Sequence, residues 1–232
     1  MEENGEGAGK FPAKAVYLNI TVKAAVIGLL LFAFRGSLAW EAGWAYLWLY
    51  AVWIFVNTAL LRRSNPGLLL KRLMLAPEPA PGQDRYFARS NPVLGAAMLA
   101  VCAYYPDWPE GENWLWARAA AFAGLAAAYW LVSWTILSNA FALKCVLVQP
   151  GQTPVRTGPY AFVRHPFYAA FLLACACTPA ALGSLYGFVP ALIVGMGVVT
   201  HTSFEDGFLT EKLAGYGEYA AAVKWRLVPW IW

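Results

Sequence analysis

The chain has 232 residues, of which 60% are hydrophobic and only 13% are charged, and its mean hydropathy is +0.49. Because soluble domains contain about 25% charged residues, this composition excludes a soluble enzyme and predicts an integral membrane protein. The formal net charge of +4 is small, and it predicts no nucleic-acid partner. The twelve Trp and twelve Tyr residues agree with a membrane location, since both side chains favour the membrane-water interface.

Residues 1–14 are predicted to form a flexible cytosolic tail, because they begin with an acidic, Gly-rich stretch that lacks the basic start of a signal peptide. Six apolar segments follow, most of them close to the length of about 20 residues that a spanning helix needs. They are Ala15–Phe34, Gly43–Leu61, Pro92–Tyr105, Ala117–Phe141, Phe167–Leu182 and Leu185–Ser203. The fold is therefore predicted to be all-α, a polytopic membrane protein with about six membrane helices. The last two should form a tight hairpin, followed by a cytosolic C-terminal helical segment.

The Lys and Arg residues indicate how the chain is oriented in the membrane. With the N-terminus in the cytosol, fourteen of the seventeen lie on cytosolic stretches. They are Lys10, Lys14, Arg62, Arg63, Lys71, Arg72, Arg85, Arg89, Lys144, Arg156, Arg164, Lys212, Lys224 and Arg226. Arg35 lies in an outer loop, whereas Lys23 and Arg118 lie inside or at the edge of spans, where snorkelling or helix packing explains most such residues. Since cytosolic loops are enriched in Lys and Arg, both termini are predicted to be cytosolic.

Other polar and reactive residues predict little chemistry by themselves. The cytosolic loop 62–91 begins with a basic amphipathic stretch, Pro66–Met74, which is predicted to lie on the membrane surface. The four cysteines lack the Cys-x-x-Cys spacing, so buried structural thiols are expected. The two histidines, His165 and His201, lack the further ligands of a zinc site, so no metal is predicted.

The stretch from Gly158 to Asp206 combines polar residues at both ends with an apolar middle. Between Tyr168 and Phe204 there is no Asp, Glu, Lys or Arg, and the Leu-Gly-Ser sequence at 182–184 is the expected break. This pattern predicts a helical hairpin, which returns its two ends to the same side of the membrane. The polar residues that it brings together are Arg164, His165, Tyr168, Glu205 and Asp206. Such a group at the mouth of an apolar hairpin predicts a functional site, although the acidic pair could also be solvated residues just past a helix end.

Several motifs recur in order along the C-terminal part of the chain. They are Gln149-x-Gly151, Gly158-Pro159-Tyr160, Val163-Arg164-His165-Pro166-x-Tyr168, Glu205-Asp206-x-x-Leu209 and Leu213-x-Gly215-Tyr216-x-x-Tyr219-x-x-x-Val223-x-x-Arg226-Leu227-x-Pro229-x-Trp232. Together they resemble the isoprenylcysteine carboxyl methyltransferase family, a broad membrane group that includes phospholipid N-methyltransferases. The resemblance covers about residues 146–232, which are predicted to form a cofactor-binding loop, the hairpin and the C-terminal segment. Residues 15–145 are predicted to hold membrane helices 1–4.

The resemblance implies an enzyme that takes S-adenosylmethionine from the cytosol and a lipophilic small molecule or lipidated substrate from the bilayer. The residues that it implies for cofactor binding are Gln149, Gly158, Tyr160, Arg164, His165, Tyr168, Glu205 and Asp206. The residues that it implies for catalysis are Glu205, His201 and Arg164. Glu205 suits the ammonium or hydroxyl groups of the cofactor, and Arg164 with the helix start at Pro166 suits its carboxylate. Because the sulfonium donor is already activated, the protein mainly has to align the reactants and exclude water.

Two positions depart from the family pattern. The residue four positions before Glu205 is usually Arg, but here it is His201, whose side chain is charged only part of the time. Positions i and i+4 share a helix face, so His201 is expected to face the same pocket as Glu205. Asp206 replaces the usual second Glu, which is a smaller change.

Two other functions fit parts of the pattern. A membrane NADPH-dependent reductase of the sterol type has a comparable C-terminal hairpin and a His-Pro-x-Tyr element, but the many-span architecture typical of that group is missing. A non-enzymatic membrane scaffold would leave the clustered polar groups unexplained. The methyl acceptor stays open, because a prenylcysteine carboxylate, an ethanolamine nitrogen or another lipid group would each fit. The sequence indicates no oligomeric state.

Overall fold

The computed structural model describes residues 11–73, 82–108 and 111–232. Most of the predicted N-terminal tail, and Met74 at the end of the predicted amphipathic stretch, lie outside these ranges. The described residues form eight α-helices and no β-strand, which confirms the predicted all-α fold. The helices are α1 (Ala13–Arg35), α2 (Glu41–Ser64), α3 (Pro66–Leu73), α4 (Gly82–Tyr104), α5 (Glu112–Ser138), α6 (Pro166–Leu182), α7 (Phe188–Lys212) and α8 (Tyr216–Ala222). A short 3₁₀ turn at Gly158–Ala161 interrupts the loop between α5 and α6.

Four of these helices, α1, α2, α5 and α7, are long and apolar enough to cross a membrane. Helix α6 is also apolar but has only 17 residues. Helix α4 has 23 residues, and its first half is polar. The predicted apolar segments therefore lie on these six helices, and the chain is an integral membrane protein.

Helix α4 begins earlier than the sequence predicts. The apolar pattern predicts a start at Pro92, whereas the helix begins at Gly82 and keeps Pro92 inside it. Pro is tolerated within membrane helices where neighbouring groups satisfy the freed backbone atoms. The polar first half is held in place because Asp84 accepts a hydrogen bond from the N-H of Val146 at 3.1 Å. The predicted loop 62–91 thus contains α3 and the polar half of α4.

Helix α7 ends later than the sequence predicts. The apolar segment ends at Ser203, but α7 continues to Lys212, so Glu205 and Asp206 lie within the helix. The interpretation of this pair as solvated residues past a helix end is therefore wrong. Asp206 is only 5% exposed, and the cations that pair with it compensate for the burial of its charge.

Helices α6 and α7 form the predicted hairpin. Gly183 ends α6 in the left-handed conformation, with φ of 78°, which Gly adopts without steric cost. Its carbonyl accepts a hydrogen bond from the N-H of Trp108 at 3.0 Å, and Asp107 accepts one from the N-H of Leu185 at 2.8 Å. These bonds fix the turn of the hairpin to the connection between α4 and α5. The polar ends of the hairpin lie together at the opposite end of the molecule.

The predicted C-terminal helical segment is present as α8 and the turns that follow it. The N-H groups of Arg164 and His165 donate hydrogen bonds to the carbonyls of Trp225 and Arg226, each at 2.9 Å. The segment is therefore attached to the loop that precedes α6. This attachment places it beside the polar ends of the hairpin.

Close approach of the helices depends on small residues, as is usual within membranes. A buried apolar core joins α1, α2, α4, α5 and α6 and includes Leu31, Tyr46, Cys102, Leu125 and Leu182. Gly124 of α5 faces Cys177 of α6, so that a Cβ at Gly124 would lie 2.5 Å from the Cys177 sulfur and 3.7 Å from its Cβ. All four cysteines are free thiols. A side chain at position 124 would require the Cys177 sulfur to move or the two helices to separate.

We expect Gly124→Ala to destabilise the protein by about 1 to 3 kcal/mol, because the added methyl group overlaps the Cys177 sulfur. Adding Cys177→Ala should recover most of that loss, since the contact that remains, at 3.7 Å, is an ordinary one. Thermal unfolding in detergent measures both effects, with Cys177→Ala alone as the control. If the two single losses simply add in the double variant, this contact does not limit the packing of α5 on α6.

Candidate functional site

A cavity of about 850 Å³ lies between the polar half of α4, the start of α6, the end of α7 and the loop that joins α5 to α6. Part of the predicted site lines it, namely Tyr160, Arg164, His165, Tyr168 and Glu205. The other predicted residues, which do not line the cavity, are Gln149, Gly158, His201 and Asp206. The fold thus brings the predicted residues close to one another. Five of the nine line the cavity, and the other four lie outside its lining.

Asp206 holds the polar end of the hairpin together. Its buried carboxylate accepts two hydrogen bonds from the guanidinium of Arg164, each at 2.8 Å, and one from Nε of Arg226 at 2.8 Å. The Tyr216 hydroxyl donates another at 2.8 Å, and Nε2 of His165 lies 3.0 Å from the carboxylate. Burial and the Asp206 charge raise the pKa of Tyr216 well above its ordinary value, so this hydroxyl remains a donor. One carboxylate therefore connects α7 with the loop before α6, with α8 and with the C-terminal segment.

Four of the five N-H groups of the Arg164 guanidinium donate hydrogen bonds within this network. Its Nη1 donates to the carbonyls of Val223 and Lys224, each at 2.9 Å, while Nε and Nη2 bind Asp206. Burial alone would lower the pKa of Arg164, but its bonds to Asp206 raise the pKa above the ordinary value. A single N-H of the guanidinium remains for any ligand. The main effect of Arg164 is to fix the loop against the C-terminal segment.

Glu205 differs from its neighbour because it faces the cavity. Its Oε2 accepts a short hydrogen bond, 2.6 Å long, from the Tyr168 hydroxyl, and its Oε1 lies 3.9 Å from Nδ1 of His165. The side chain is 22% exposed. Since Oε1 accepts no hydrogen bond from the described residues, this carboxylate has free acceptor positions for a bound molecule.

His201 lies behind the cavity wall. Its side chain is 3% exposed, and its ring is stacked on Phe87 with the centroids 3.8 Å apart. Nε2 lies 3.5 Å from Oδ1 of Asp84 and 3.9 Å from Oε2 of Glu205. His201 is thus on the same helix face as Glu205, as expected, but Asp84 is the nearer carboxylate. Nδ1 is buried and has no hydrogen-bond partner in the described part of the chain.

Asp84 was not predicted as part of the site, because it lies in the stretch that the sequence assigns to a loop. It is 2% exposed. A helical repeat in that stretch could have indicated it, since Asp84, Phe87, Ala88 and Asn91 are spaced i, i+3, i+4 and i+7 and all line the cavity.

The remaining predicted residues shape the loop between α5 and α6. The Tyr160 hydroxyl accepts a hydrogen bond from Asn139 at 3.0 Å. The side chain of Gln149 donates to the Phe141 carbonyl at 3.0 Å. Gly158 has φ of 60°, and a Cβ there would lie 2.6 Å from the hydroxyl oxygen of Ser138. These bonds and this close approach hold the loop against the end of α5.

Three cations line another part of the cavity, and the sequence did not predict that they meet. They are Lys23 of α1, Arg72 of α3 and Lys144 after α5. Burial, together with the charges of Lys23 and Arg72, lowers the pKa of Lys144 to about 8. Burial also lowers the pKa of Arg72, to about 10, so the guanidinium stays charged at neutral pH. The cations are therefore close enough to repel one another.

A comparison with known protein families agrees with the position of this site. A model of the phospholipid methyltransferase family matches residues 116–215, which run from the first turns of α5 to the residue before α8. The match confirms the predicted resemblance, because that family belongs to the isoprenylcysteine carboxyl methyltransferase-like group of membrane methyltransferases. It supports a membrane methyltransferase that acts on lipid substrates. No curated protein matches the chain.

We expect Asp206→Asn to lower the stability much more than Glu205→Gln. An amide cannot compensate the buried charge of Arg164, and loss of one partner from a buried ion pair costs about 3 kcal/mol or more. Thermal unfolding in detergent measures the difference, with Glu211→Gln on the exposed side of α7 as the control. An Asp206→Asn variant as stable as the parent would show that the network does not hold the C-terminal segment in place.

We expect the amine of Lys144 to become reactive at a lower pH than a free lysine. Its pKa is lowered from 10.5 to about 8, so the uncharged, nucleophilic form accumulates as the pH rises through about 8. Acetylation at a series of pH values, followed by mass spectrometry, measures the midpoint. Arg72→Gln removes a like charge and should raise that midpoint. A midpoint near 10.5 in the parent would contradict the enclosure of Lys144 beside other cations.

Proposed function

We propose that the chain is an integral membrane methyltransferase that transfers the methyl group of S-adenosylmethionine to a lipophilic acceptor. The observation that carries the proposal is the position of Glu205. Its carboxylate faces the cavity, lies within the matched residues and accepts one hydrogen bond from the described residues, that of Tyr168. A carboxylate in that state can accept hydrogen bonds from the ammonium or hydroxyl groups of a bound molecule.

The cavity fits a cofactor of this kind in both size and chemistry. Its volume of about 850 Å³ lies within the range of about 300 to 1,000 Å³ that small-molecule sites occupy. Phe87, Phe167 and Tyr160 supply aromatic surface, which suits a nucleoside base. Glu205 supplies a hydrogen-bond acceptor for the amino-acid or ribose part of the cofactor. Tyr168 fixes the orientation of that carboxylate.

The predicted residues take two kinds of role in this proposal. Glu205, Tyr168 and His165 contact the bound cofactor from the cavity wall. Arg164 and His201 are positioning residues, because the guanidinium is already engaged and the imidazole lies behind the wall. Gln149, Gly158 and Asp206 shape the loop and attach it to its neighbours. Tyr160 has both roles, because it lines the cavity and also anchors the loop.

The helices that line the cavity suit a lipophilic methyl acceptor. S-adenosylmethionine supplies a methyl group that is already activated by its sulfonium, so the chain has to align that group with the acceptor and exclude water. Asn19 and Lys23 of α1 and Thr135 of α5 line the same cavity. Both helices are long and apolar enough to span a membrane, and we infer that a lipophilic acceptor enters the cavity from the bilayer between helices.

We also propose that the cavity opens to the cytosol and that both termini lie on that side. At the end of the molecule that holds the cavity, the helices carry six basic residues near their ends. They are Lys14, Arg62, Arg63, Arg85, Arg89 and Lys212. The opposite ends of the helices carry Arg35 and Arg118. This distribution agrees with the enrichment of Lys and Arg in cytosolic stretches.

Calorimetric titration of the purified protein with S-adenosylhomocysteine tests the proposal. We expect saturable binding, and we expect Glu205→Gln to weaken it by roughly ten- to a hundredfold, because a hydrogen bond to a charged group contributes about 1.5 to 3 kcal/mol. Glu211→Gln on the exposed side of the same helix is the matched control. The thermal stability of Glu205→Gln should stay close to that of the parent, since Glu205 makes one hydrogen bond to the described residues.

Two results would contradict the proposal. Binding of NADPH in place of S-adenosylhomocysteine would favour a membrane reductase. Equal affinity in the parent and in Glu205→Gln would remove Glu205 from the cofactor site.

A further inference from the structure

Six Lys and Arg side chains line the cavity. Arg164 is bound by Asp206, and Arg85 and Arg89 are exposed on the polar half of α4. The other three come from separate parts of the chain. Lys23 lies on the spanning helix α1, Arg72 on the short helix α3, and Lys144 in the loop after α5. Among the residues that the structure describes, no Asp or Glu oxygen lies within 4.0 Å of their side-chain nitrogens. An ionisable residue that faces inward from a spanning helix indicates a functional site, and its partner is expected nearby. Within the described chain, that partner is not an acidic side chain.

The guanidinium of Arg72 is held in a position that leaves part of it free. Its Nη1 donates hydrogen bonds to the carbonyls of Ala142 and Leu143, and its Cζ lies 5.8 Å from the ring centre of Phe167. In the described residues, Nε and Nη2 have no hydrogen-bond partner. These two groups form the planar fork that binds phosphate or carboxylate oxygens in pairs. Arg72 is therefore preorganised for an oxyanion.

Lys144 complements this fork from the facing loop. Its side chain lines the cavity, partly covered by the surrounding protein and partly accessible, and it makes no hydrogen bond or ion pair with the described residues. The repulsion among Lys23, Arg72 and Lys144 is relieved when an anion binds between them. A cavity that collects unpaired cations is thus electrostatically complementary to a negatively charged ligand.

The position of the cations favours the acceptor over the cofactor as their ligand. Lys23 and Arg72 lie outside residues 116–215, the part of the chain that matches the methyltransferase family model. Glu205 lies inside that part, and none of the three cations is within 4.0 Å of its carboxylate. Lys23 is also on a helix that a lipid in the bilayer can approach.

We propose that Lys23, Arg72 and Lys144 form an oxyanion subsite that holds the phosphodiester of a lipid headgroup, with the methyl-accepting amine of that headgroup directed toward Glu205. This inference rests on the proposed function. It assigns the N-terminal helices a role in acceptor recognition.

Kinetics with two acceptors test the subsite. The first is a short-chain phosphatidylethanolamine, and the second is a primary alkylamine of similar length that lacks the phosphate. We expect Lys144→Gln to raise KM for the phosphate-bearing acceptor by about tenfold or more, because it removes a charge-assisted hydrogen bond. KM for the alkylamine and the affinity for S-adenosylhomocysteine should stay within about twofold.

Matched variants separate the local charge from general effects. Lys144→Arg keeps a cation and should retain most of the affinity for the phosphate-bearing acceptor. Lys71→Gln removes an exposed lysine of α3 that does not line the cavity, and it should change nothing. A fall in S-adenosylhomocysteine affinity in Lys144→Gln would assign the cations to the cofactor and overturn the subsite.

Direct binding keeps this test independent of turnover. Binding of the same short-chain phosphatidylethanolamine is followed by Trp fluorescence of the parent and of Lys144→Gln in detergent. Weaker binding in the variant supports the subsite even if the parent binds no S-adenosylhomocysteine, a result that would overturn only the proposed function. Equal binding in the two proteins overturns the subsite, whatever the cofactor data show.

Discussion

The buried ion pair between Asp206 and Arg164 is the interaction on which the rest of the site depends. Asp206 lies on α7, and Arg164 lies just before α6, so the pair closes the mouth of the hairpin. Arg226 and Tyr216 bind the same carboxylate and bring the C-terminal segment to that mouth. Without these partners the charge of Asp206 would be buried without compensation, which proteins avoid. This closure helps to place the cavity, because two of its walls, the start of α6 and the end of α7, are held together by Asp206.

Two adjacent acidic residues have different environments for a simple geometric reason. Consecutive residues of an α-helix point about 100° apart, so one helix cannot direct Glu205 and Asp206 to the same place. Asp206 points into the network of cations and hydroxyls, whereas Glu205 points toward the cavity beside Tyr168. The two residues therefore have different roles. Asp206 holds the elements at the mouth of the hairpin together, and Glu205 provides a hydrogen-bond acceptor inside the cavity.

The sequence predicted what depends on local pattern, and it did not predict what depends on contacts between distant segments. The hairpin with its break at Gly183, and the proximity of Arg164 and His165 to the acidic pair, follow from apolar runs that carry no charges. The sequence predicts a loop at the polar half of α4, because the helix there depends on distant contacts. Asp84 binds the N-H of Val146, and Phe87 stacks on His201. The meeting of Lys23, Arg72 and Lys144 was missed for the same reason, since three segments far apart in sequence have to fold before those charges become neighbours.

The short length of α6 has a consequence for the surrounding lipid. Its 17 residues rise about 26 Å at about 1.5 Å per residue, which is less than the hydrocarbon thickness of about 30 Å. Its two ends are fixed, one to the α4–α5 connection through Gly183 and the other to the Asp206 network. A bilayer of ordinary thickness would extend past the ends of this helix, and local thinning or snorkelling of flanking residues relieves such hydrophobic mismatch. Local thinning would bring the headgroups of neighbouring lipids closer to the level of the cavity, so that a lipid could present its polar end to the protein while its acyl chains stay in the membrane.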